Sequence, residues 1–328
     1  MNYDALLVVS FGGPEGMEDV MPFLENVLRG RNVPRERMIS VAHHYEMFDG
    51  VSPINQQNRD LIAALKEELA AHGPNLPIYW GNRNWHPMLP DTLRLMARDG
   101  VHNALAFVTS AYSSFSSCRQ YRQNIADAQA EVGPEAPQIN KLRAFYNHPL
   151  FIEANVDHIR AAMSKVSQNP HLVFTAHSIP EAMAANCDYA AQLAEAGGLI
   201  AGALGTERWR LVYQSRSGSP SQPWLGPDIT DTLRDLHNQG IDNVVVAPIG
   251  FVSDHMEVVY DLDHEAQNVA KELGMTMVRA ATAGTHPAFV KMIRELMLER
   301  IDNAPARFLG SRGPVHDVCP ADCCLPPR

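Results

Sequence analysis

Short runs of β-branched and apolar residues alternate along this chain with longer segments whose apolar positions recur every three or four residues. The runs predict strands over Ala5–Ser10, Ile78–Trp80 and Ala104–Thr109 in the first half. In the second half they predict Leu172–Thr175, Arg210–Tyr213, Val244–Ile249 and Met275–Ala280. Asn58–His72 and Leu150–Val166 carry the helical period instead. Strands separated by helices imply parallel βαβ units, and so an α/β fold with helices on both faces of each sheet.

The two halves look alike. ALLVVSFGGP resembles LVFTAHSIP, an apolar strand followed by a Ser-containing turn closed by Pro, and ALAFVTSAYSS resembles VVVAPIGFVSDH. This predicts two α/β domains of similar plan, residues 1–147 and 148–306, hinged near Ala144–Pro149. Ligands would lie in the cleft between the carboxyl edges of the two sheets. The last segment, 307–328, has no regular period and is rich in Pro, Gly and Cys. Without a bound group it is expected to be mobile.

Composition narrows the picture. The chain has 328 residues, 45% of them hydrophobic and 20% charged, as a globular protein does. A formal net charge of −10 argues against a nucleic-acid partner. The nearest basic cluster, Arg29, Arg31, Arg35 and Arg37, is interrupted by Glu36 and suits a local anion such as a carboxylate. The N-terminal MNYDALLVVSFGG lacks a basic leader and contains Asp4, so it reads as a buried strand. No run is long enough for a membrane span, and a cytoplasmic location is expected. Five cysteines, an odd number, argue against a disulfide framework.

The densest chemistry is GFVSDHMEVVYDLDHE, Gly250–Glu265, directly after a predicted strand. On a helix Glu257, Asp261 and Glu265 share one face, with His264 beside it. Like charges at that spacing repel, so the row costs stability. Hard oxygen ligands ending at an imidazole suit a divalent metal in transit. By spacing alone the same row is a solvated helix face. His177, in TAHSIP, lies past another strand, and parallel topology would bring both strand ends to one edge. Gly12–Gly13 after the first strand is no dinucleotide fingerprint and suits a tight turn or a close approach to a flat ligand. In Thr109–Asn124 the serines Ser113, Ser114, Ser116 and Ser117 suit a helix cap, and Tyr112, Phe115 and Tyr121 suit a planar ligand. Arg83, Trp85 and His86 in GNRNWHP suit carboxylate recognition or a surface ion pair. Cys319, Cys323 and Cys324 place three thiols in six tail residues, a pattern for zinc or an iron–sulfur cluster that needs Cys118 or Cys187 as fourth ligand.

SFGGPEG, RGR, GVSPIN, GNRNWHP, TSAYSSFS, TAHSIP, the YQSR and PWLGP segments and PIGFVSDHMEVVYDLD occur in this order from about Asp4 to Met297. In this combination the chain resembles the ferrochelatases. The resemblance implies two Rossmann-like, chelatase-type domains with a porphyrin in the cleft. It implies a lyase that inserts ferrous iron, its substrate, into the macrocycle in haem biosynthesis. The family's metal-site histidine and glutamate correspond to His177 and Glu257, with Asp254–His255 as a positioning pair. Porphyrin contacts correspond to Ser52 and Tyr121, with Phe11 and Arg29 nearby, and Asp261 and Glu265 resemble the family's iron path. Where some bacterial relatives carry a proximal Tyr, this chain has Phe11, which cannot ligate iron.

The stretch Arg29–Asp49 is polar, resembling bacterial enzymes that act on coproporphyrin III, with protoporphyrin IX as the alternative substrate. The tail resembles the [2Fe–2S] site of part of the family, with Cys118 or Cys187 joining Cys319, Cys323 and Cys324. Other haem-pathway enzymes are the expected partners. A cobalt or nickel chelatase of the same fold, or a tetrapyrrole or metal carrier without turnover, is the competing reading.

Overall fold

A computed structural model describes residues 2–30, 33–166, 169–217 and 221–326. Arg31 of the basic cluster and part of the segment between YQSR and PWLGP therefore lie outside the described residues.

Eight parallel strands form two four-stranded sheets. In the first, β1 (Ala5–Ser10), β2 (Ile78–Asn82), β3 (Asn103–Val108) and β4 (Gln138–Lys141) stand in the order β2-β1-β3-β4. In the second, β5 (His171–His177), β6 (Trp209–Gln214), β7 (Asn243–Ala247) and β8 (Thr276–Arg279) repeat that order as β6-β5-β7-β8. β1 is buried at every position because strands flank it on both sides and helices cover both faces. The α/β expectation of two similar halves thus holds, and the paired motifs fall on corresponding strands, β1 with β5 and β3 with β7.

Seven of the strands carry the predicted apolar runs. β4 does not: QINK is polar and only partly buried, because it is an edge strand that packs one side. A clearer trace of the internal repeat lies in the helices. Asp91-Thr92-Leu93-Arg94 opens the Leu89–Arg98 helix, and Asp231-Thr232-Leu233-Arg234 lies in the Ile229–Asn238 helix. Thr92 donates to the Met88 carbonyl at 3.2 Å, as Thr232 does to that of Asp228 at 2.8 Å.

The junction expected as a hinge is packed. Ala144, Phe145, Tyr146, Asn147 and His148 are all buried, and Phe145 stacks on Phe107 at 5.4 Å between ring centres. One apolar cluster runs from Leu6, Val8 and Phe107 through Phe145, Phe151 and Phe289 to Leu172, Phe174 and Val245. The last helix, Pro287–Ile301, supplies Phe289 and packs on both Pro149–Met163 and Ile54–His72. The two halves therefore share one core.

The tail, expected to be mobile without a bound group, makes specific contacts with the rest of the chain. It has no regular structure, yet Leu309 N–H donates to the Asn147 carbonyl at 2.9 Å, and Asn147 Nδ2 donates to Gly313 at 2.8 Å. Arg119 donates to the carbonyl of Ala321 at 2.9 Å and Arg122 to that of Cys319 at 3.1 Å. Buried amides and guanidinium groups replace the missing ladder of hydrogen bonds. No helix among the described residues is long and apolar enough to cross a membrane.

Candidate metal-insertion site

The carboxyl edge of the second sheet gathers the predicted metal residues. His177 is the last residue of β5, and its backbone pairs with Gln214 at the end of β6. Its carbonyl accepts from Tyr189 Oη at 3.0 Å, and its Nδ1 faces the Ser178 carbonyl. That contact directs Nε2 toward Glu257, whose Oε2 stands 3.4 Å away. His255 approaches the same oxygen at 3.9 Å, with its ring against Phe251 at 5.0 Å. The two members of the ion pair are 32% and 49% exposed, so the pair opens to solvent while protein walls its other sides.

Each of the pair sets the other's proton affinity. Burial opposes charge on His177, but the Glu257 charge and hydrogen bond outweigh it and raise the imidazole to about 9. Glu257 is held below the usual carboxylate range: burial pushes it up, and His177 pulls it further down. His255 moves the other way. Burial lowers it, and the cationic His177 adds to that against the attraction of Glu257 and Asp254.

The helix that follows is not a plain α-helix. Met256–Val258 passes into a π-helix over Val259–Ala266, then returns to α-helix at Gln267. A wider turn lets residues four apart stay in line, so Glu257, Asp261 and Glu265 form one row; π-turns often mark functional sites. Asp261 accepts from Ser215 Oγ, and Gln214 Nε2 donates to the Glu257 carbonyl at 3.2 Å. Burial, together with repulsion from Glu257 and Glu265, raises Asp261 to about 7 against the Ser215 hydrogen bond. Burial and the nearby Asp228 raise Glu265 too. The row therefore carries less negative charge near neutral pH than its composition suggests. Sequence reasoning missed Gln214 and Ser215, although both lie in the YQSR segment at a strand end. His264 faces Tyr260, at 5.4 Å between rings, and Tyr260 stacks on His44 at 3.7 Å.

Asp254 holds the loop before the row. Arg279 donates to both its oxygens, at 3.0 and 3.2 Å, and also binds Asp263. The Asp254 N–H donates to Gln57 Oε1 at 2.8 Å, tying the loop to the first half.

The opposite wall comes from the end of β1. Gly12 has φ +80°, and a Cβ there would stand 2.8 Å from that of Asn82. A Cβ on Gly13 would meet Ser52 at 2.7 Å, so Ser52 packs directly on this turn and is buried. Phe11 packs edge-on to Phe23 at 6.3 Å, and Phe23 in turn meets Trp85. The Arg83 guanidinium lies over both Phe11, at 5.4 Å, and Tyr121, at 5.0 Å. Tyr121 is 5% exposed, about as buried as Ser52, and its ring lies under Arg83. Tyr112 is a core residue whose hydroxyl donates to the Ile249 carbonyl at 3.0 Å. Both tyrosines lie in a run where core aromatics and ligand-facing aromatics have the same composition. The serines do cap: Ser114 Oγ accepts from Ser117 N at 3.1 Å, and Ser117 Oγ accepts from Ser114 N at 2.9 Å. Arg29 is exposed just beyond the Met17–Val27 helix.

The tail cysteines come into hydrogen-bond reach of Cys118, with Cys187 near them across a shared cavity. The Cys118 thiol is within hydrogen-bond reach of both Cys319 and Cys324. Cys323 and Cys324 sulfurs are 3.6 Å apart. Cys187 instead donates to the Met183 carbonyl at 3.3 Å, facing the other side of a cavity of about 580 Å³.

The sequence model of the ferrochelatase family matches residues 3–301. This chain belongs to the ferrochelatase family. A ferrochelatase from Rhodopirellula baltica is 57% identical over 98% of the chain and 93% of its own length. A coproporphyrin III ferrochelatase from Nocardia farcinica is 52% identical over 100% of the chain and 98% of its own length. Among solved structures, SirB from Bacillus subtilis with Fe3+ superposes at a TM-score of 0.57 with 11% identity, covering 92% of this chain and 98% of SirB. CbiX gives 0.52 at 14% identity over 92% of this chain and 100% of its own. These two share the two-domain chelatase fold. As a ferrochelatase the chain is a lyase that inserts ferrous iron into a porphyrin in haem biosynthesis.

Proposed function

We propose that this ferrochelatase acts on coproporphyrin III, with His177 and Glu257 as the metal-insertion pair. The observation that carries the site is the His177–Glu257 contact of 3.4 Å at the head of the acidic row. Ferrous iron arrives along Glu265 and Asp261, where oxygen ligands hold it only moderately and release it again. Any metal reaching the pair must displace the proton that His177 and Glu257 share. Two pyrrole protons leave as iron enters; once its own proton has gone to solvent, His177 Nε2 accepts them one at a time and passes each to solvent on the open side of the pair, with Glu257 stabilising the imidazolium each time. Ser52 and the Phe11–Arg83 wall position the macrocycle on the other side, with Tyr121 supporting Arg83. Phe11 offers no proximal oxygen to the product iron.

The coproporphyrin reading draws on two supports. Relatives 46–52% identical carry that substrate in their names. The mouth presents exposed Arg29, Arg35 and Arg37, cations suited to propionates, although Ile39 and Met47 are exposed among them. A cytoplasmic enzyme suits the unpaired cysteines, and its iron porphyrin would pass to other enzymes of the haem pathway.

The same reading gives Cys118, Cys319, Cys323 and Cys324 to a [2Fe–2S] cluster. Thiolates sharing one tetrahedral metal at about 2.3 Å stand roughly 3.8 Å apart, and the Cys323–Cys324 pair fits that spacing at 3.6 Å. Cys118 with Cys319 supplies the second pair. When bound, such a cluster supplies one-electron redox chemistry; the thiols' part is to hold it between the tail and the Phe115–Arg119 turn.

Anaerobic ferrous insertion, followed by absorbance with coproporphyrin III and protoporphyrin IX side by side, tests the substrate. Faster turnover of coproporphyrin III supports the proposal, and a protoporphyrin IX preference discards the reading of the mouth. His177→Ala should abolish insertion while leaving porphyrin binding largely intact. Equal loss of both would remove the role given to His177.

A further inference from the structure

The tail holds one donor more than a four-thiol site needs. His316 Nε2 stands 3.6 Å from Cys323 Sγ, and the donor atoms of His316, Cys319 and Cys323 lie within 4.8 Å of one another. The backbone on either side of His316 is tied down. Asn147 Nδ2 holds the Gly313 carbonyl at 2.8 Å, and Arg300 pairs with Asp317 at 3.6 Å. Val315, next to the histidine, packs against the main core. His316 thus sits on a backbone tied to the core through Gly313, Val315 and Asp317, although the ring itself is exposed.

The four sulfurs are in mutual reach, Cys118 with Cys319 and Cys324 and Cys323 with the same two, so they complete a four-ligand set without the imidazole. Cys324 is 6% exposed and fixed by packing, whereas His316 approaches from the solvent side. A cluster-bound thiolate can only accept, so a ring nitrogen at this distance from it donates its N–H, and both the neutral Nε2–H tautomer and the imidazolium can do so. Hydrogen bonds to cluster sulfurs strengthen as reduction adds negative charge, and so favour the reduced state.

We propose that His316 is a positioning residue of the tail site, donating Nε2–H to the Cys323 thiolate and raising the reduction potential of the cluster without ligating iron. The proposal rests on the reading that Cys118, Cys319, Cys323 and Cys324 hold a [2Fe–2S] cluster.

The test uses the full chain, prepared or reconstituted anaerobically, in three forms: parent, His316→Ala and His316→Gln. Visible absorption and electron paramagnetic resonance report the cluster, and a redox titration gives its midpoint potential. All three forms should hold a cluster with an all-thiolate signature. The potential of His316→Ala should shift to more negative values, and His316→Gln, which keeps an N–H donor, should recover most of the shift. An intact cluster with an unmoved potential in His316→Ala overturns the proposal. So does a histidine-ligated signature in the parent that His316→Ala abolishes, or failure of both variants to assemble a cluster that the parent assembles. A parent chain that assembles no cluster under any reconstitution overturns the cluster reading, and this inference with it.

Discussion

One carboxylate decides the proton affinity of His177. Burial alone would lower the imidazole, and the Glu257 charge reverses the sign and lifts it to about 9. The pair's contribution to stability is therefore fully present between the free carboxylate value of about 4.5 and the free histidine value of about 6.5, lost as pH rises through about 9 and lost again as acid protonates Glu257. In Glu257→Gln burial remains and the charge is gone, so the ring should titrate below the free value. Histidine side-chain NMR over pH 5 to 10 would show it, and a titration left near its original position would contradict the assignment. The same substitution should slow insertion by roughly 10²–10⁴-fold, as loss of a positioned proton-handling group does. His177 and Glu257 were legible in the sequence because each follows an apolar strand in a compact motif. The places of Tyr112 in the core and of Tyr121 under Arg83 were not legible, because a hydroxyl and aromatic run reads alike whether it fills a core or faces a ligand. Gln214 and Ser215 were invisible as partners of Asp261, since their role depends on β6 lying beside β5.

At the scale of elements, the π-helix was the feature the sequence concealed. Spacing of four residues suggests a face on any helix, but only the wide turn over Val259–Ala266 aligns Glu257, Asp261 and Glu265 in one row. If the row conducts iron, Asp261→Asn should raise the KM for ferrous iron several-fold and leave the porphyrin KM unchanged. Steady-state kinetics with each substrate varied in turn separates the two, and a change in the porphyrin KM alone would count against the path. The helices at the junction give a second test. His148 caps Pro149–Met163 by accepting the Leu150 N–H at 3.2 Å on Nδ1, which requires a bare nitrogen and a neutral ring. Burial, reinforced by Arg143 and Arg307, lowers this histidine to about 3. Glu295 lies 3.3 Å from Nε2, where a neutral ring carries its N–H. The unfolded chain binds a proton below about pH 6.5 and the folded chain does not, so this group costs stability as pH falls, up to about 1.4 kcal/mol per unit. His148→Asn keeps a cap without that proton. Its melting temperature should fall less between pH 7 and pH 5 than the parent's, and parallel curves would show that the acid sensitivity lies elsewhere.

Across the whole molecule, the duplicated plan was readable from the strand motifs, but the continuity between the halves was not. Ala144–Pro149 reads as a linker by position, yet its side chains stack between Phe107 and Phe289 because the last helix crosses back over both halves. The Arg143–Glu299 ion pair fastens this crossing. Arg143 binds Glu299 through Nε at 2.6 Å and Nη2 at 2.8 Å, and the same Nη2 reaches the Arg307 carbonyl at 2.9 Å, where the tail begins. The two side chains are 2% and 6% exposed. A pair buried this deeply adds little over an apolar replacement, but breaking it strands a guanidinium without its counter-charge. Glu299→Ala should therefore cost about 3–5 kcal/mol, whereas Arg143→Met with Glu299→Leu should recover most of that loss. Denaturant unfolding of the parent, the single variant and the double variant measures both values. The pair also positions the start of the tail, so Glu299→Ala should loosen Arg307 and lower the fraction of chains that retain metal at the tail cysteines. The double variant should regain stability without regaining that retention, because no guanidinium remains to hold the Arg307 carbonyl. If it regains both, the tail is held by its later contacts with Asn147, Arg119 and Arg122, and Arg143 serves the core alone.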